Sequence, residues 1–237
     1  MSGPAPLSGC LARVTGASRG IGAATARALA GAGAGLLLAA RPSAELDRIA
    51  AELAGARAVP TDLREQAAVE RLVAAAEALG GPDLLVHAAG VGVFAPIERS
   101  EVAEWDEMLD VNLRAAYLLC RAALPGMRAR RRGHIFTIVS IAGVRAFPGA
   151  GAYCASKFGL LGLSRVLAEE VRRDGVKVTA VLPGSVDTPF WDRAGGDLPR
   201  ERMLRPEAVA EAILFAAAAP PTVHHDEIVV MPPDGVL

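Results

Sequence analysis

Cysteine is scarce in this 237-residue chain, and the three present, Cys10, Cys120 and Cys154, are odd in number and lack CxxC or metal-ligand spacing. That excludes a disulfide-stapled scaffold or a cysteine zinc centre as the basis of the fold. Met1 to Gly9 contains no basic n-region of an export signal, so a reducing cytoplasm is the expected compartment. The four histidines, His87, His134 and the pair His224-His225, show no ligand spacing around a carboxylate constellation. They read as turn residues, and no metal is expected. No apolar stretch reaches the roughly 20 residues that would span a bilayer before Arg, Gly or Asp interrupts it, so a soluble protein is expected. Charge of one sign is missing too: a net charge of −1 and a pI near 6.4 give no field for nucleic acid or anionic membrane. The one basic run, Arg128-Ala-Arg130-Arg131-Arg132, follows the apolar stretch Leu118 to Met127 and reads as solvated cations near a helix C-terminus. Lysine is the scarcest cation, because the 25 basic residues include only Lys157 and Lys177.

What is present is an alternation of short apolar runs with alanine-rich, amphipathic segments. Strands are predicted near 10–15, 35–40, 56–61, 83–88, 133–140, 176–182 and 227–231, with helices filling the gaps. Runs such as Gly35-Leu-Leu-Leu-Ala-Ala40 and Val176-Lys-Val-Thr-Ala-Val-Leu182 suit strands covered on both faces. The reading is an α/β fold: a single-domain, doubly wound, mostly parallel sheet of seven strands with helices on both faces. A chain of 237 residues is ample for one such core and short for two. Right-handed crossovers would gather the glycine-rich segment after the first strand, Asp62, Gly90, Ser140 and Pro183-Gly184 at the carboxyl edge of the sheet, where such folds bind ligands.

The first edge segment is Thr15-Gly16-Ala17-Ser18-Arg19-Gly20-Ile21-Gly22, between the apolar run Leu11 to Val14 and the helix-favouring stretch Ala23 to Ala30. Glycine permits a tight turn and close approach to a pyrophosphate, and the free N–H groups opening the helix favour the anion. No Gly-Lys-Ser/Thr follows, which argues against a triphosphate P-loop. Tyr153 and Lys157 stand four residues apart in a helix-compatible stretch and so share one face. An adjacent ammonium favours the phenolate and lowers a pKa that is ordinarily about 10. A tyrosine tuned in this way can give a proton to a carbonyl oxygen or take one from an alcohol, and Ser140, after Ile135 to Val139, could hold that oxygen. The plainer alternative is one packed ring and one solvated amine. In a chain that otherwise uses arginine, an ammonium kept at Lys157 points to a need for a compact charge on a flexible stem. Cys154 points about 100° away from its neighbour Tyr153 and reads as packing.

In order and spacing, Thr15-Gly-x-x-x-Gly-x-Gly22, Ser140, Tyr153-x-x-x-Lys157 and Pro183-Gly184 resemble the short-chain dehydrogenase/reductase (SDR) family over essentially the whole chain. The resemblance implies a Rossmann-type oxidoreductase that moves hydride between nicotinamide and a carbonyl or alcohol carbon. It implies a catalytic set of Asn112, Ser140, Tyr153 and Lys157. Tyr153 would be the acid, Lys157 would lower its pKa and bind the nicotinamide ribose, and Asn112 would help to hold a water near the lysine. For the cofactor it implies Gly16, Ser18, Arg19, Gly20, Ile21 and Gly22 at the pyrophosphate turn, and Asp62 and Leu63 at the adenine. Ala89 and Gly90 would form the inner wall, with Pro183, Gly184, Val186 and Thr188 at the nicotinamide end. One departure stands out: the family's usual Asn-Asn-Ala-Gly run appears as His87-Ala88-Ala89-Gly90, which alters the side-chain support at the centre of the sheet.

Family members that prefer NAD usually carry an acid at the end of the second strand, where this chain reads Leu38-Ala39-Ala40-Arg41. The acid is missing, and the two guanidinium groups of Arg19 and Arg41 favour a 2′-phosphate, so NADP(H) is the expected cofactor. The segment from Phe190-Trp191-Asp192-Arg193 to Arg205 matches no motif and is read as part of a substrate lid near 189–205. Phe190 and Trp191 could cover an apolar substrate. Arg193, Arg200 or Arg202 could meet a carboxylate or phosphate, or could simply be exposed. The tail Asp226 to Pro233 looks more like the 3-hydroxy acid and serine dehydrogenase branch than like the 3-oxoacyl reductases. A broad carbonyl reductase or a 3-oxoacyl reductase stays open, as does a non-catalytic NADPH-binding regulator. The expected partners are a small carbonyl or alcohol substrate and, by resemblance, further copies of the chain. These would form a dimer or tetramer through the helices near 101–127 and 151–173, with no nucleic acid and no membrane.

Overall fold

In the computed structural model, which describes residues 5–195 and 199–235, the apolar runs become strands and the alanine-rich segments become helices. The order is β1 (Leu11–Thr15), α1 (Gly20–Gly31), β2 (Gly35–Ala40), α2 (Ala44–Glu52), β3 (Arg57–Pro60), α3 (Gln66–Glu77), β4 (Leu84–His87), α4 (Val102–Leu109) and α5 (Ala115–Arg130). There follow β5 (Gly133–Ile138), α6 (Gly151–Val171), β6 (Val176–Pro183), α7 (Trp191–Ala194), α8 (Pro206–Ala217) and β7 (Glu227–Val230). The sheet runs β3-β2-β1-β4-β5-β6-β7, and every neighbouring pair is parallel. The chain winds outward from β1 in one direction and from β4 in the other, which opens a crevice above the carboxyl ends of these two strands.

Side chains alternate between the two faces of each strand, so each strand feeds two cores. Val14, Val86, Phe136 and Ile138 pack with Leu29, Leu46, Ile49, Val209 and Ile213 from α1, α2 and α8. Leu85, Ile135 and Val178 face the other way, onto Val69, Leu72, Leu119, Met127 and Leu167 from α3, α5 and α6. Arg13 projects from β1 with no exposed surface, and none of its three side-chain nitrogens meets a hydrogen-bond partner among the described residues. Burial pulls its guanidinium down to about 10.

Three details depart from or refine the sequence expectations. His87 and His134 are not turn residues: they lie inside β4 and β5 and are buried, and desolvation pulls each imidazole down to about 3, so both are neutral. A neutral imidazole can be hidden in a strand because it needs only hydrogen-bond partners, and His134 Nε2 lies 2.8 Å from Thr179 Oγ1. The arginines at the end of α5 and just beyond it are partly exposed but tied down, with Arg128, Arg130 and Arg132 each 2.7 Å from a carboxylate oxygen, of Asp174, Glu77 and Asp83 respectively. Between α4 and α5, finally, the helix widens into a π turn over Asp110–Arg114.

Candidate active site

The carboxyl ends of the central strands open onto one cleft of about 960 Å³. Its floor at one end is the glycine turn. Gly16 has φ +66°, and a side chain there would meet Ala89 Cα at 2.7 Å; at Gly22 a Cβ would fall 2.2 Å from Gly16 O. The turn is thus folded against itself and against the end of β4, as only glycine allows. It leads into α1, whose N-cap residue Arg19 makes no side-chain cap, so the first N–H groups of the helix stay available to an anion. Ser18, Arg19, Gly20 and Ile21 line this end, with Arg41, Asp62 and Leu63 also on the wall. Arg64 holds Asp62 through an Nη2–Oδ2 contact of 2.5 Å and keeps its carboxyl below the usual range. Among the described residues neither Arg19 nor Arg41 has an ion-pair partner. An uncapped helix start between two unpaired cations suits a phosphorylated dinucleotide.

Ser140 follows β5 and caps the short 3-10 turn Ile141–Gly143, its Oγ accepting from Ala142 N at 3.0 Å. That bond occupies an acceptor site and leaves the hydroxyl proton free to donate. Tyr153 lies in the first turn of α6 and Lys157 one turn later, with Nζ 5.6 Å from the centroid of the phenol ring. Nζ donates to Ile138 O at 2.8 Å, and burial pulls the ammonium down to about 7. Burial also pushes the phenol of Tyr153 up to about 12, opposed by its bond to the Ser140 hydroxyl. The phenol thus sits above its ordinary value, where spacing and resemblance lead to the expectation of a lowered one. The charge of Lys157 is weakened by its own desolvation and turned toward a main-chain carbonyl, while Phe94 and Phe190 pack against the phenol ring. At neutral pH the tyrosine is protonated, the form that can donate to a carbonyl oxygen.

Beyond Tyr153 the wall is formed by Phe94, Phe147, Phe190 and Trp191. The segment that carries Phe190 and Trp191 is pinned at its base: Leu204 N donates to Ser185 O at 2.9 Å and Asp187 N to Leu204 O at 2.8 Å. Its arginines are engaged with carboxylates, Arg193 with Glu107, Arg200 with Asp187 and Asp192, and Arg202 with Asp234. Residues 196–198 of the expected lid lie outside the described residues.

A family model described as short chain dehydrogenase matches residues 11–198. The chain belongs to that family. A metagenomic short-chain oxidoreductase solved in complex with NADP is 39% identical and superposes with a TM-score of 0.85, covering 96% of this chain and 99% of its own. An alcohol dehydrogenase from the archaeon Thermococcus sibiricus, complexed with 5-hydroxy-NADP, is 32% identical with a TM-score of 0.86, covering 93% of this chain and 95% of its own. Glycine betaine reductase ATRR of Emericella nidulans is 39% identical over an alignment of 242 positions that covers 97% of this chain but 19% of that protein. This chain therefore matches only a small part of that relative's length.

Of the catalytic and cofactor-binding residues that the SDR resemblance implies, all line the cleft except Gly22 and Asn112. Gly22 lies beneath the turn it closes. Asn112 sits fully buried in the π turn, where Oδ1 accepts from Val91 N and Nδ2 donates to Val91 O and Ser156 Oγ, each at 2.9 Å. Ser156 Oγ in turn donates to Tyr153 O at 2.7 Å. The carboxamide thus ties the loop after β4 to the start of α6. His87, in place of the family's usual asparagine, sets Nδ1 3.1 Å from Thr15 Oγ1 at the foot of the glycine turn. Sequence reasoning missed Phe94, Phe147 and Glu107 as wall residues, because each reaches the cleft from a segment without a motif. The scarcity of aromatic residues was the signal available for the first two.

Proposed function

We propose that this chain is an NADP(H)-dependent oxidoreductase that interconverts a carbonyl and a secondary or primary alcohol, with Tyr153 protonated as the reductive direction requires. The observation that carries this reading is the Ser140–Tyr153–Lys157 group at one end of the cleft, with a phenol that stays protonated at neutral pH. NADP(H) supplies the hydride when bound. Arg19, Arg41 and the open start of α1 would hold its phosphates, and the absence of an acid at the end of β2 favours the 2′-phosphorylated form. The two structural relatives bound to NADP and 5-hydroxy-NADP support that choice.

The substrate oxygen would lie between the hydroxyls of Ser140 and Tyr153, taking the place of the bond between them. As negative charge grows on that oxygen, the serine bond strengthens and the tyrosine proton moves across, so both groups stabilise the transition state more than the ground state. Lys157 places its amine 5.6 Å from the centroid of the phenol ring, and Asn112 positions α6 through Ser156. A 3-hydroxy acid substrate would need a cation for its carboxylate, and the lid arginines are already engaged with acids. This favours the broad carbonyl reductase over the 3-hydroxy acid dehydrogenase reading. The chain would work as one domain with a lid near 189–205. Its assembly into dimers or tetramers is supported by apolar side chains exposed on α4, α5 and α6, namely Val102, Trp105, Tyr117, Phe158 and Val166.

The test is Tyr153→Phe, followed by NADPH titration and by turnover on a panel of ketones and aldehydes. NADPH affinity is expected to stay near the wild-type value, while kcat falls about a thousandfold. Wild-type turnover in the variant would sink the assignment. Tight NADPH binding with no tyrosine-dependent turnover on any carbonyl would favour a cofactor-binding regulator instead.

A further inference from the structure

Aromatic residues make up 4% of the chain, two Trp, two Tyr and six Phe, and their placement is uneven. Phe136 alone among them is a core residue, while Trp105, Tyr117, Phe158 and Phe215 face solvent. The other five, Phe94, Phe147, Tyr153, Phe190 and Trp191, all line the cleft. Phe94 is the hub, with ring centroids 5.6 Å from Tyr153, 6.2 Å from Phe190 and 5.9 Å from Trp191. Phe190 closes the cluster at 5.5 Å from Tyr153 and 5.4 Å from Trp191. Phe94, Phe147 and Tyr153 back onto the small buried cluster of Ala142, Ala150 and Cys154, and together with Phe190 and Trp191 they complete the wall of the cleft around the catalytic phenol.

The cluster is held in place. Trp191 Nε1 donates to Val186 O at 3.0 Å, and Phe94 N donates to Ala194 O at 3.2 Å, joining the loop after β4 to α7. The Phe190 ring lies so close to Gly92 that a Cβ there would come within 2.4 Å of it. The wall therefore presents fixed apolar surface, which recognises a substrate by shape and desolvation at little ordering cost. Among the described residues, charge recognition is absent beside it. Arg193, Arg200 and Arg202 hold carboxylates, and Lys157 donates to a main-chain carbonyl. A carboxylate substrate would be desolvated there without a partner. A quaternary ammonium is no better served: the rings pack against one another in tilted and edge-to-face contacts, and Glu107, an acid of the wall, is neutralised by Arg193.

We propose that the substrate is a neutral ketone or aldehyde carrying an aromatic or similarly bulky apolar group, seated against Phe94, Phe190 and Trp191, and that Phe94 is a specificity-determining residue. The inference rests on the oxidoreductase reading above and narrows it to a substrate class.

The experiment compares NADPH-driven kcat/KM at pH 7 for propiophenone, butanone, 3-oxobutanoate and the trimethylammonio aldehyde of glycine betaine, in wild type, Phe94→Ala, Phe94→Leu and Tyr153→Phe. Propiophenone is expected to exceed both 3-oxobutanoate and the ammonio aldehyde by about 100-fold, the range that one buried apolar group supplies. Phe94→Ala is expected to raise KM for propiophenone about tenfold and to change KM for butanone little, with Phe94→Leu intermediate. Phe94→Leu gives the same comparison if the alanine variant fails to fold. Preference for the anion or the cation, with turnover lost in Tyr153→Phe, would overturn the substrate class and leave the oxidoreductase reading standing. Equal KM changes for propiophenone and butanone in the Phe94 variants would overturn the role of Phe94. NADPH binding with no tyrosine-dependent turnover of any of the four would overturn the oxidoreductase reading and this inference with it.

Discussion

The two ends of the cleft handle charge in opposite ways. At the glycine-turn end, Arg19 and Arg41 lack ion-pair partners among the described residues, and the floor is main chain. At the Tyr153 end, Arg193, Arg200 and Arg202 each hold acids, and the wall is ring surface. An unpaired surface cation is already solvated and gives up little to meet an anion. A paired one must first lose its partner. One end is therefore set to read phosphate, the other to read apolar shape, and the reacting groups stand where the two meet.

The largest effect that would break this contrast is expected at Gly22. A Cβ 2.2 Å from Gly16 O cannot be relieved by a flexible side chain, so the turn itself must move. Gly22→Ala is expected to weaken NADPH binding at least about 100-fold, or to prevent folding outright, since overpacking of this kind costs several kcal/mol. Fluorescence titration together with a thermal melt separates the two, and unchanged affinity would show that the main chain is not what shapes this end. A smaller effect is expected at the unpaired cation of the rim. Arg41→Ala is expected to weaken NADPH about tenfold and to leave NADH nearly unchanged, the value of one charge-assisted bond. Equal losses for the two cofactors would remove Arg41 from the 2′-phosphate.

A third effect, read in stability and not in affinity, sharpens the comparison at His87, which lies 3.1 Å from Thr15 at the foot of the glycine turn. Its folded imidazole sits at about 3 against an ordinary 6.5, chiefly through burial and then through the charge of Lys157. Between those values the unfolded chain takes up a proton that the folded chain refuses. Stability therefore falls as pH drops from 6.5 toward 3, by about 1 kcal/mol per pH unit for such a group. Asparagine does not titrate, so His87→Asn is expected to flatten the acid limb of urea midpoints measured from pH 7 to 4, with His134 supplying the remainder. Identical slopes for variant and wild type would show that His87 is not held neutral.

The fold was almost wholly legible in the sequence, since parallel strands covered on both faces must be continuous apolar runs, and the seven predicted strands match the observed ones to within about two residues. The glycine turn was legible for a similar reason: its chemistry is local. Three features were not. The engagement of Arg193 depends on Glu107, 86 residues away, and no local pattern reports such a partner. The raised phenol of Tyr153 arises from rings contributed by other segments, so the spacing to Lys157 indicated the proximity of the pair but misjudged its balance. His87 and His134 looked like turn residues because a neutral, buried imidazole leaves no mark on composition.

The π turn at Asp110–Arg114 makes chain length itself a functional property. A π turn amounts to one surplus residue in an otherwise regular helix, and each residue of helix carries about 100° of rotation. Removing any one residue from this turn would restore an ordinary helix and swing the Asn112 carboxamide away from Val91 and Ser156, even if Asn112 itself were untouched. Exchange of the neighbouring side chains would leave that geometry intact. The segment is thus tolerant of spelling and intolerant of counting, and a one-residue deletion here would disable the site more thoroughly than most substitutions within it.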